Sequence, residues 1–160
     1  MCKLTMFAIV ALVFVVINQI CAETRQVETD VYGLRRPLVN HSYNIGDFLG
    51  VSCAAKLVNT ETDPEQNDEM LSMTLFKDGQ PYHKLIGPGI SGRIEDYPTK
   101  GIQDISPMGW SSFSHNVGLN EHSGYANNET KGSYTCQVIY KDYQNYTITI
   151  TSDQYELKLK

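Results

Sequence analysis

The chain opens with twelve consecutive apolar residues, 6–17, and shows no comparable run afterwards. Lys3 precedes the run, and the small-residue end Ile20, Cys21, Ala22 follows it. Twelve residues fall short of the roughly 20 that cross a bilayer. A basic start, a short apolar stretch and a small-residue cleavage site read instead as a secretory signal peptide over residues 1–22. Beyond it helix signals nearly vanish, and apolar positions recur with a period of two among Thr, Tyr, Val and Ile. Leu49, Val51 and Cys53 fall on one face of a strand, as do Met73 and Leu75 in the next, which runs into an Asp78-Gly79 turn. Tyr134, Cys136, Val138 and Tyr140 share a face of a third. Residues 146–151 alternate Tyr or Ile with Thr and follow a five-residue connection, 141–145, of hairpin length. Short alternating strands with turn-rich links and two distant cysteines predict an all-β fold, a sandwich of two antiparallel sheets.

Composition changes this picture in one respect, the cysteines. Cleavage after Ala22 takes 22 of the 160 residues and leaves 138, and it takes Cys2 and Cys21 with it. Cys53 and Cys136 remain, a pair with no leftover thiol. In an oxidising compartment such a pair defaults to a disulfide, with two buried free thiols as the alternative. Closing a loop of that length is worth roughly 4.5 kcal/mol in loop-closure entropy. Charge adds less. The net value of -5 becomes -6 when Lys3 leaves, and no Lys/Arg cluster appears, which argues against nucleic acid as a partner. Residues 152–160 are polar and offer neither a second span nor a lipid-anchor tail, so the processed chain, 23–160, is expected to be extracellular with no membrane insertion. Residues 23–36 read as a short extension before the domain. Three sequons begin at Asn40, Asn128 and Asn145, each a candidate glycan site.

The order of motifs carries a family resemblance. Residues 46–53, a Gly-acid pair leading through alternating apolars into a cysteine, resemble the entry to strand B of an immunoglobulin domain. Residues 73–79 resemble strand C and its turn, and Lys131-Gly-Ser-Tyr-Thr-Cys136 resembles the corner before strand F. The chain is thus similar to small secreted proteins with one immunoglobulin domain, of the kind known in invertebrates. The resemblance implies an inter-sheet disulfide, a tyrosine corner at Tyr134, and a core holding Leu49, Val51, Leu75 and Val138. Two positions depart from the pattern. Leu75 stands where the family usually has a tryptophan, so another side chain must fill that volume, with Trp110 as the candidate. Thr130 replaces a common acidic residue and would leave Arg93 without its usual partner. The spacing also predicts enlarged loops at residues 56–70 and 120–131.

Motifs with catalytic or cofactor meaning mostly dissolve on inspection. Residues 87–92 match G-x-G-x-x-G, but no helix pattern follows, so they read as a loop and no dinucleotide cofactor is expected. The acidic run 61–69 lacks the glycine of a calcium loop and reads as solvated and mobile. His41, His83, His115 and His122 show no tight ligand spacing, so no metal site is expected. With no nucleophile elbow and no free cysteine, the residues argue against an enzyme.

Strand alternation places Phe76, Gln137 and Ile139 outward on the sheet carrying strands C and F, a candidate partner face. By resemblance, the expected role is adhesion or organisation at cell surfaces or synapses, through a surface receptor, a matrix protein or a second copy of the chain. Two rivals stand beside it. One is immune recognition or ligand sequestration through the 56–70 loop; the other is a secreted hydrolase or inhibitor of another β fold.

Overall fold

The structure, a computed structural model, describes residues 25–33, 36–58, 65, 67–87, 93–97, 110–114 and 117–160, with 110–114 and 117 as backbone only. Among them are strands in two sheets and no α-helix. The smaller sheet runs in the order β1 (Gln26–Gly33), β3 (Phe48–Lys56), β8 (Val117–Tyr125), β7 (Trp110–Ser114). The larger runs β2 (Ser42–Tyr43), β11 (Tyr155–Leu159), β9 (Gly132–Lys141), β4 (Glu69–Lys77), β5 (Gln80–Ile86), β6 (Arg93–Asp96), with β10 (Thr147–Thr151) also on β9. The pairings between these strands are antiparallel except that of β11 with β2, which is parallel.

The inner faces follow from the period of two. On β9 the row Tyr134, Cys136, Val138, Tyr140 is buried, with half-buried residues between. On β3 the row Leu49, Val51, Cys53, Ala55 is buried. Leu75 pairs with Cys136 in register and is fully buried beside it. Each buried aliphatic side chain of this kind contributes roughly 1.5–3 kcal/mol. Among the described residues, the aromatic side chains buried in the core are Tyr43, Tyr82, Tyr134 and Tyr140. The side chain of Trp110, expected to fill the space beside Leu75, lies outside the described residues, although its backbone begins β7 opposite Glu121.

Two turns show why local sequence suits the fold. Asp78 and Gly79, between β4 and β5, both take positive φ, 51° and 75°, the geometry of a tight hairpin turn with right-handed twist. Gly132, at φ 143°, opens β9 directly over the Asp78 carboxylate. A Cβ at Gly132 would stand 2.5 Å from Asp78 Oδ1, so any other residue here must displace that carboxylate as well as adopt a strained φ.

Several expectations need revision. Residues 26–33 are not an extension: they form β1, paired along its whole length with β3 because Val31 can be buried against the core. Residues 120–125 are not loop but the second half of β8, and the described turn before β9 spans only 126–131. The acidic run does not end in solvent. The Asp68 side chain is wholly buried and receives two hydrogen bonds from Arg25, at 2.7 and 2.9 Å, and one from the Val58 amide at 3.0 Å. Arg25 also lies 5.1 Å above the Tyr140 ring. Tyr146 belongs to the turn and is 66% exposed, with the strand starting at Thr147. The polar C-terminal stretch holds β11, whose Leu157 is buried while Glu156 and Lys158 face water. Arg93, expected to be orphaned, instead pairs with Glu95 on its own strand.

Candidate functional site

The disulfide joins β3 to β9 and hence one sheet to the other: Cys53 and Cys136 are bonded, their Cα atoms 5.3 Å apart. Just upstream on β9, the Tyr134 hydroxyl donates to the Thr130 carbonyl. Burial, then the nearby Tyr43 and Asp78, pushes the Tyr134 hydroxyl far above the usual tyrosine range, so it stays a neutral donor. Thr130 is buried rather than ionic, and its hydroxyl accepts from the Asn127 amide at 2.9 Å.

The outer face of the large sheet is built row by row from the strand registers. One row aligns Thr149, Ile139, Ser72, Ile86 and Arg93 across five strands. The next aligns Thr151, Gln137, Thr74, Lys84 and Glu95. A third brings Thr135, Phe76 and Pro81 together. Phe76, Gln137 and Ile139 therefore share this face, each half-buried by its neighbours. The rows mix apolar, hydroxyl and amide groups, with Ser72 and Thr74 buried at their centre and charge toward the β5–β6 side.

The three sequon asparagines are exposed and sit in turns rather than on this face. Asn40 and Asn145 take positive φ, 52° and 65°, and Asn128 lies in the turn between β8 and β9. Asn40 and Asn128 lie toward the end of the sandwich where β11 finishes. The hairpin with Asn145 is at the opposite end.

A second constellation was not visible in the sequence. A bulge between β4 and β5 at Phe76 and Pro81 turns both Tyr82 and His83 toward the interior, where each is 2% exposed. His83 pairs in register with Asp96 of β6, and its Nδ1 lies 2.5 Å from Asp96 Oδ1. From the opposite sheet, His122 of β8 points inward opposite Val51, and its ring centroid is 5.1 Å from that of His83. The Tyr82 ring meets His122 edge-on at 5.9 Å. Two residues along the strand, Asn120 is fully buried and its amide donates at 3.3 Å to the carbonyls of Met73 and His83. The ligand atoms of His83, Asp96 and His122 all lie within 4.8 Å of one another. These residues are separated by 13 and 26 positions, so only the fold could assemble them.

Residues 88–92 of the glycine-rich motif, His115 and most of the acidic run lie outside the described residues. Among the described residues no helix is long and apolar enough to cross a membrane.

No protein-family model and no curated protein matches the chain. Solved structures do match, 124 chains in all. Among them is murine CRIg, an immunoglobulin-like domain, aligned over 86% of this chain and 98% of that one with a TM-score of 0.54 and 10% identity. At that identity the likeness establishes the architecture and nothing finer. With two sheets, antiparallel but for the β11–β2 pair, an inter-sheet disulfide from β3 to β9 and this neighbour, the chain has an immunoglobulin-like β-sandwich fold.

Proposed function

We propose that the protein is exported after cleavage following Ala22 and acts by binding a cell-surface or matrix protein through the outer face of the large sheet, in adhesion or cell-surface organisation. The observation that carries this reading is the combination of a sheet face bearing the half-buried Phe76, Gln137 and Ile139 with three sequons that all sit off it. Glycans on Asn40, Asn128 and Asn145 would cover the two ends of the sandwich and leave the face open. Aromatic and branched apolar side chains at the centre of such a face supply binding energy, while the surrounding threonines and charges supply orientation.

The test is a binding screen of the tagged, secreted protein against a panel of cell-surface ectodomains, repeated with Phe76→Asp and Ile139→Asp. Each substitution should cut affinity at least tenfold, since it desolvates a charge at the centre of the contact. Replacing residues 59–64 should leave affinity unchanged; the replacement must stop short of Asp68, which the fold buries against Arg25. If the loop replacement abolishes binding and the face substitutions do not, recognition belongs to the loops, as an immune or ligand-sequestering role would require.

A further inference from the structure

We propose that His83, Asp96 and His122 form a binding site for a divalent transition-metal ion, Zn2+ by the chemistry of its donors, clasped between the two sheets at the β5–β6–β8 edge. Three strands from both sheets contribute one ligand each, and their registers fix the arrangement: Leu75, His83 and Asp96 in one row, His122 facing them from its place opposite Val51. Imidazole and carboxylate are the ligand types that zinc takes from proteins when it keeps one position open. Ligand arms of about 2.1 Å in a tetrahedron put donor atoms about 3.4 Å apart. The three ligand atoms lie within 4.8 Å of one another, so a small movement of side chains, in which Asp96 gives up its 2.5 Å contact with His83 Nδ1, brings the set to that spacing. Asp96 is the member free to make it, since its side chain is 60% exposed while that of His83 is 3% exposed.

The surroundings support the same conclusion. A sandwich gains nothing from histidine on an inner face, where an aliphatic side chain of similar volume would stabilise more. Yet β8 directs Asn120 and His122 inward, and the bulge in β5 directs His83 toward them. Beside them the Tyr82 hydroxyl is buried with no hydrogen-bond partner among the described residues, which itself costs about 1–3 kcal/mol. A metal ion bound here would engage all three members of the cluster. With three protein ligands, the fourth position faces the open side at Asp96, where water or a side chain from another molecule can complete the shell. None of this depends on the outer sheet face being a binding surface.

The experiment uses the full secreted protein, stripped of metal with a chelator, and titrates Zn2+ into it by calorimetry. One ion per chain should bind, and Zn2+ should raise the unfolding midpoint. Asp96→Asn, chosen because that side chain is exposed, should weaken binding 10- to 100-fold and abolish the shift in midpoint. His122→Leu should eliminate binding, and His41→Ala, whose ring stacks on Tyr155 elsewhere on the molecule, should match the unaltered protein. Co2+ in place of Zn2+ should give the intense visible absorption of a tetrahedral centre. Absence of saturable binding, equal affinity in Asp96→Asn, or the pale spectrum of an octahedral aquo ion would each overturn the proposal.

Discussion

Strands β8 and β9 are neighbours in sequence but lie in opposite sheets, and their patterns are opposite as well. On β9 the inward row is Tyr134, Cys136, Val138 and Tyr140, and the residues between are half-exposed. On β8 the inward row is Gly118, Asn120, His122 and Gly124, facing the core from positions opposite Ala55, Cys53, Val51 and Leu49. Its larger apolar residues, Leu119 and Tyr125, point the other way, and Tyr125 is 52% exposed and meets the Phe48 ring edge-on. Hydropathy patterning reports which way a strand faces only when the strand builds the core. On β9 it does, and on β8 the inner face is given over to small and polar groups.

The comparison can be broken first at the disulfide, which β9 shares with β3. Replacing both cysteines with alanine should lower stability by about 4 kcal/mol, read from urea unfolding, with much lower secretion yield. A loss below 1 kcal/mol would remove β9 from its central place. Next comes Gly132→Ala, which combines a disfavoured φ with a clash against Asp78 and should lower stability by about 2 kcal/mol. Pairing it with Asp78→Gly separates the two causes, because the clash disappears and the φ penalty stays. The two losses should therefore be non-additive.

Tyr134→Phe should have a smaller effect, about 1–2 kcal/mol, because the buried Thr130 carbonyl loses its donor while the ring stays in place. The smallest effect is expected from Asp78→Asn. Burial acts to raise the Asp78 pKa, but hydrogen bonds from Lys77 and from the Ser133 amide outweigh it and hold the carboxyl below its ordinary value. Ionised Asp78 therefore stabilises the fold above the ordinary carboxylate range, and that contribution is lost as pH falls through the folded value. Asp78 is half-exposed, so solvent screening keeps the effect small, under about 1 kcal/mol at pH 7. The difference between Asp78→Asn and the unaltered protein should shrink as urea unfolding is repeated at progressively lower pH below 4.

The same contrast explains what was legible in the sequence. β3, β4, β9 and β10 alternate apolar with polar residues, and the period of two places them within a few residues of their observed bounds. The two cysteines mark the strands that the disulfide joins. Residues 120–125 of β8 read as loop because asparagine, histidine and glycine occupy the positions where a core strand would carry aliphatics. β1 was missed for a related reason: in Gln26–Gly33 only Val31 is fully buried, so its alternation is faint. β11 hides in a charged tail because Glu156 and Lys158 flank the one buried residue, Leu157. The buried pairing of Arg25 with Asp68 spans 43 positions, and no local signal announces it. The histidine cluster was out of reach for the same reason. Its assembly depends on a bulge and on a register between sheets, neither of which is a property of nearby sequence. One signal was present in principle, a strand whose polar residues recur at the inward spacing, Asn120 and His122.

The division of labour between β9 and β8 is tested most directly by unfolding the metal-free protein with Val138→Ala and with His122→Leu, side by side in urea. Val138 is fully buried and should lose about 2 kcal/mol with the two methyl groups removed. His122→Leu keeps the volume and replaces a polar ring with an apolar chain, so stability should stay within about 1 kcal/mol of the unaltered protein or rise. A large loss for His122→Leu beside a negligible one for Val138→Ala would contradict the account.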